Sequence, residues 1–224
     1  MLVKICGATS VADIAVLAEA GVDLIGLWHG VRGGHAELSA TALGSLAAAA
    51  RAAGPEPVLV TLASGVPAVR AAAELSGVRR VQLHGYQQPG MVRALTTACP
   101  DLDVIKVLHV RGGECVERGL IAAYERAGVG MFLVDTLGAD GRIGSTAVRI
   151  DESAAAEILG VTTVPVLLAG GLTADNVDMF RPLLAHQRLA GIDVDTGARD
   201  RAGRIDPVKV AALNRAWTVQ EEMS

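Results

Sequence analysis

The sequence predicts an α/β fold, a closed (β/α)8 TIM barrel built as a single domain over residues 1–224. Three observations predict it. Short apolar, β-branched runs alternate with Ala-rich amphipathic stretches along the whole chain. Eight such units fit into 224 residues, the span of one compact barrel. No Gly-x-Gly-x-x-Gly fingerprint follows the first run, which disfavours an open doubly wound sheet.

Each unit is legible in turn. Strand 2–6 (Leu-Val-Lys-Ile-Cys) leads to helix 10–20, for which Ser10 is a good N-cap. Strand 23–28 leads to helix 39–53, entered at Ser39. Strands 57–62, 80–84, 103–108 and 130–135 lead to helices 66–76, 88–98, 114–127 and 151–159. Strand 164–169 leads to helix 174–185, preceded by Thr173, and strand 190–195 to helix 206–219. Runs of this length, apolar on both faces and separated by helical segments, read as buried parallel strands. The longest irregular stretches, 29–38 and 136–150, both follow strands, where a barrel carries its active-site loops.

Composition narrows the function classes. The chain is 51% hydrophobic but only 3% aromatic, so Ala, Val, Leu and Gly build the core. A net charge of −4 argues against sequence-independent nucleic-acid binding and against a membrane-surface role. No apolar run approaches the ~20 residues needed to span a bilayer. The N-terminus runs into a strand without signal-peptide features, and Cys6, Cys99 and Cys115 form no metal spacing. These points predict a cytoplasmic protein with reduced thiols, no cofactor and no metal. The partner they imply is a small molecule, handled by a monomer or homodimer.

In such a barrel all strand C-termini meet at one rim. Cys6 closes the first strand and Asp135 the sixth, so they are candidates for an acid/base pair. Ala169-Gly170-Gly171-Leu172-Thr173 follows the seventh strand and Asp193-Val194-Asp195-Thr196-Gly197-Ala198 the eighth. Glycine loops at these two positions are suited to phosphate, which makes Gly170, Gly171, Asp195, Thr196 and Gly197 candidate phosphate contacts. A third glycine-rich element, residues 138–146, has the character of a substrate loop, with Gly144 as a candidate contact. Alternation aims Lys4, Gln82, Lys106 and Asp193 inward, with Lys4 paired to Asp193 from the neighbouring strand. His84 reads as structural, His109 and His186 as surface residues, and Trp28 as core or as a stacking surface.

Lys4-Ile5-Cys6-Gly7, Val81-Gln82-Leu83-His84-Gly85, Val104-Ile105-Lys106, Asp135, Leu168-Ala169-Gly170-Gly171-Leu172 and Gly191-Ile192-Asp193-Val194 occur in one order across nearly the whole chain. In this combination the chain resembles the phosphoribosylanthranilate isomerase family of tryptophan biosynthesis. The resemblance implies an Amadori rearrangement of an N-substituted 5-phosphoribosylamine, with Cys6 as base and Asp135 as acid. A base cysteine must reach its thiolate, so nearby positive charge is expected to lower its pKa; an acid aspartate is expected to have a raised one.

The chain departs from the family at the loop rims. The family's Ser-Pro-Arg, whose arginine contacts the anthranilate carboxylate, is absent from residues 28–37. His35 falls about where that arginine belongs, and Arg32 is the other candidate on the loop. Asp195 beside a phosphate is repulsive unless it points away or Arg199 offsets it. These departures leave open a diverged relative acting on another N-substituted phosphoribosylamine, and a phosphate-binding barrel without catalysis. The related aldose–ketose isomerases of the histidine pathway use two aspartates, which Cys6 speaks against.

Overall fold

The computed structural model describes residues 1–138 and 149–218. Eight parallel strands close on themselves: β1 (Leu2–Cys6), β2 (Leu24–Trp28), β3 (Glu56–Thr61), β4 (Arg80–Leu83), β5 (Asp103–Arg111), β7 (Met131–Thr136), β8 (Val166–Leu168) and β9 (Leu189–Val194). A two-residue strand, β6 (Glu114–Cys115), adds antiparallel to the end of β5. The pairing of β1 with β9 and of β4 with β5 completes the closed TIM barrel. Its outer layer is α1 (Val11–Glu19), α2 (Ala40–Ala53), α3 (Val66–Ser76), α4 (Pro89–Ala98), α5 (Ile121–Arg126), α6 (Glu152–Val161), α7 (Arg181–Leu184) and α8 (Pro207–Thr218). Among the described residues no helix is long and apolar enough to cross a membrane.

Strand alternation divides the apolar residues into two layers. Val3, Ile5, Ile25, Leu27, Phe132 and Val134 face the helices and pack with Ile14, Leu17, Leu43 and Tyr124. Leu24, Val58, Ile105, Val107, Leu133 and Leu167 fill the barrel interior. Both strand faces are buried, which is why the strands read as continuous apolar runs. Helix entries follow the local signals. Ser10 and Asp13 form a reciprocal capping box at α1, Ser39 caps α2 and Asp151 caps α6.

Two predicted helices are corrected. The stretch 114–127 is helical only from Arg118, first as a 3-10 turn and then as α5. Before it, β5 runs on to Arg111, turns through Gly112 and Gly113, and pairs back with Glu114–Cys115. The reason is polar: Glu117 accepts from the His109 backbone N–H at 2.8 Å and lies 2.6 Å from its Nδ1, a clasp that a helix from residue 114 would forbid. His109, expected at the surface, is fully buried by this clasp. The stretch 174–185 is a 3-10 helix over Ala174–Phe180 followed by the single turn of α7, which opens on Arg181-Pro182.

Lys106 is also corrected. It alternates with Ile105 and Val107, which fill the interior, so its side chain enters the helix layer. Its Nζ lies 5.5 Å from the Tyr124 ring centre and donates to the carbonyls of Gly85 at 2.7 Å and Val107 at 2.6 Å. A strand buried on both faces carries no polar–apolar contrast to say which way a lone lysine points.

Candidate active site

The strand C-termini open into a cleft of about 470 Å³ that is continuous with solvent. Cys6, Asp135, Gly170, Gly171, Asp195, Thr196 and Gly197, all singled out in the sequence, line it together. Trp28, His84 and Asp193 line it as well. Of the remaining candidates, Arg32 and His35 are exposed and do not line the cleft, while Gly144 lies outside the described residues.

Cys6 ends β1 with its side chain inward. Its Sγ is approached by two donors, Trp28 Nε1 at 3.0 Å and Lys4 Nζ at 3.4 Å. Lys4 Nζ also donates to Asp193 Oδ1 at 2.8 Å, and these two residues are direct partners in the β1–β9 register. The expected buried pair therefore forms. Burial works against the Lys4 charge, but Asp193 and Cys6 outweigh it and hold the ammonium above its ordinary value. The Cys6 thiol behaves contrary to expectation. Burial pushes it up to about 12, and the lowering by Lys4 and by the indole hydrogen bond does not overcome that. A β-carbon at Gly26 would sit 2.6 Å from Cys6 Sγ, so only glycine gives the sulfur its place.

Asp135 is brought in by β7. Its Oδ1 accepts from the Thr136 N–H at 2.9 Å, and its Oδ2 lies 3.4 Å from His84 Nε2. Gln82 Nε2 is 2.8 Å from His84 Nδ1, which turns the imidazole toward Asp135. His109 Nε2, held from behind by Glu117, lies 3.1 Å from the His84 carbonyl. Sequence reading put His84 among the structural residues; its step of two from the inward Gln82 was the available signal for a rim position.

The glycine loops form the remaining wall. Gly170 and Gly171 both have positive φ, of 95° and 60°. Gly197 packs against the preceding loop so closely that a β-carbon would lie 2.1 Å from the Leu172 carbonyl oxygen. Asp195 is tied back: Arg199 Nε donates to its Oδ1 at 2.6 Å, and His35 Nε2 lies 3.4 Å from its Oδ2. Arg199 also donates to the carbonyls of Cys6 and Gly7, so one guanidinium joins the two strand ends and offsets the carboxylate. His35 reaches the site through Trp28, whose ring it meets edge-on at 4.7 Å.

The chain also has matches among known proteins. The profile of the family described as N-(5'phosphoribosyl)anthranilate (PRA) isomerase matches residues 3–216. N-(5'-phosphoribosyl)anthranilate isomerase 2 of Methanosarcina mazei is 31% identical over 214 residues, covering 94% of this chain and 91% of that protein. The isomerase of Myxococcus xanthus is 34% identical over 220 residues, covering 96% and 94%. The crystal structure of phosphoribosyl anthranilate isomerase from Thermus thermophilus superposes with a TM-score of 0.79 at 25% identity, covering 96% of this chain and 98% of that one. The chain belongs to the N-(5'-phosphoribosyl)anthranilate isomerase family.

Proposed function

We propose that this chain catalyses the Amadori rearrangement of N-(5'-phosphoribosyl)anthranilate to 1-(2-carboxyphenylamino)-1-deoxyribulose 5-phosphate, a step of tryptophan biosynthesis. The observation that carries the reading is the meeting of Cys6 and Asp135 on one cleft walled by the two glycine loops. In this reading Asp135 protonates the furanose ring oxygen, and the ring opens to the Schiff base. Cys6, as thiolate, removes the proton from C2, and the resulting enolamine tautomerises to the ketone. The Lys4 ammonium stands beside the sulfur, where it stabilises the thiolate charge and opposes the upward push of burial.

The phosphate is assigned to the loops Gly170–Gly171 and Asp195–Gly197, where it anchors the sugar between acid and base. The amine half is assigned to the side of Trp28 and His35. His35 and Arg32 are both exposed and outside the lining, but His35 touches the cleft-lining indole, so His35 is the favoured contact for the anthranilate carboxylate. The test is loss of anthranilate-type fluorescence from freshly made phosphoribosylanthranilate. Wild type is expected to turn it over, with Cys6→Ser and Asp135→Asn each slowing kcat by about 10²–10⁴-fold while circular dichroism stays native. Absence of turnover by the folded wild type removes the substrate assignment, and full activity in either variant removes that residue's role.

A further inference from the structure

Two donors converge on the Cys6 sulfur from two strands, and the more closely placed of them is an indole. Trp28 is 8% exposed and packs with Cys6, Ala36 and Val60 at the rim. The Leu38 N–H donates to its carbonyl at 2.9 Å, and a β-carbon at Gly34 would come within 3.0 Å of its ring. The indole therefore has little room to turn its N–H away. A neutral thiol is a weak acceptor, whereas a thiolate accepts charge-assisted hydrogen bonds strongly. Two donors aimed at one sulfur suit the anion.

We propose that Trp28 is a positioning residue for the base, its indole N–H fixing the Cys6 sulfur at the cleft and stabilising the thiolate. The role rests on the reading of Cys6 as base. The charged and titratable groups around the sulfur set what the indole must work against. Lys4, on the same strand, favours the anion; Asp193 on β9 and Asp195 in the loop after it disfavour it. Arg199 donates to the Cys6 carbonyl at 3.2 Å, His35 touches both the Trp28 ring and Asp195, and Asp135 and His84 line the same cleft. With two carboxylates on the opposing side, losing one of the two donors falls directly on the thiolate population.

The test is alkylation of the ligand-free protein by iodoacetamide, read at Cys6 by peptide mass spectrometry, in wild type and Trp28→Phe. Well below the thiol's midpoint the alkylation rate is proportional to the thiolate fraction. Trp28→Phe is expected to slow Cys6 alkylation about tenfold at pH 8, the size of one hydrogen bond to a charged group, with Cys99 unchanged. Removing the indole widens access to the sulfur, so a slower reaction reads the thiolate and not the path to it. A second variant, β-(3-benzothienyl)alanine at position 28, keeps the ring shape and lacks the N–H; it is expected to show the same fall. In turnover the benzothienyl variant, which keeps the ring shape beside the amine half, is expected to lose about tenfold in kcat at pH 7 with KM within about twofold. Unchanged alkylation in both variants overturns the proposal, as does a turnover loss that falls on KM with kcat unchanged. Slowed alkylation in a protein whose turnover ignores Cys6→Ser would remove the base reading and leave the indole's hold on the sulfur standing.

Discussion

Lys4 is fully buried two residues from a buried thiol, and its position decides what that thiol can do. It holds Asp193 at 2.8 Å and Cys6 at 3.4 Å, so one ammonium closes a gap between two strands and supplies positive charge beside the thiol. Replacing it by methionine leaves the Asp193 carboxylate buried without its cation, a change that typically costs about 3–5 kcal/mol. Lys4→Met is therefore expected to lose that much in urea unfolding at pH 7, with Lys4→Met/Asp193→Asn recovering part of it. A loss under about 1 kcal/mol would show that the pair contributes little. This contact was readable in the sequence, because Lys4 shares a strand face with Cys6 and Asp193 falls on the adjoining strand. The sulfur's other donor was not. Nothing in Leu27-Trp28-His29 says that an indole N–H, more than a ring face, will meet Cys6; that depends on how loop 29–38 pins the ring. The upward shift of the thiol was equally hidden, since burial at a strand end depends on the loops that cover it.

Elements built from regular periodicity were read well, and those shaped by one polar contact were not. The strand series and helices α1 to α4 stand where alternating texture put them. The hairpin after β5 exists because Glu117 clasps His109, a long-range polar pairing with no periodic trace. The glycine loops lie between these cases. Their place after β8 and β9 followed from composition and order, but their mutual contact did not. Gly197 and the Leu172 carbonyl approach so closely that a β-carbon must push the two loops apart. If these loops hold the phosphate, Gly197→Ala is expected to raise KM about tenfold or more and to lower kcat less. The variant is also expected to lose about 1–3 kcal/mol of stability from overpacking. Steady-state kinetics separate the two effects. An unchanged KM with a collapsed kcat would place the phosphate elsewhere.

At the scale of the whole molecule, burial of ionisable groups sets the alkaline limit of the fold. Cys6 is pushed up from 9.0 to about 12, so the folded state keeps a proton that the unfolded chain releases. Its contribution is fully present below pH 9 and is lost as pH rises toward 12, at about 1.4 kcal/mol per pH unit. Lys106 acts in the opposite sense. Burial lowers it from 10.5 to about 8, so between these values the unfolded chain binds the extra proton and stability rises with pH. The two slopes oppose each other between pH 9 and 10.5, and single variants separate them. Subtracting the wild-type stability curve, Lys106→Met is expected to show a relative advantage below pH 8 that declines by about 3 kcal/mol as pH reaches 10.5. Cys6→Ala is expected to show the reverse, with a relative gain growing above pH 9. Urea unfolding at half-unit steps from pH 7 to 10.5 measures both. A flat Lys106→Met difference would mean that the ammonium, held by the Gly85 and Val107 carbonyls, keeps its proton throughout. That outcome would make Lys106 a fixed cationic clamp on the loop that carries His84 to the site.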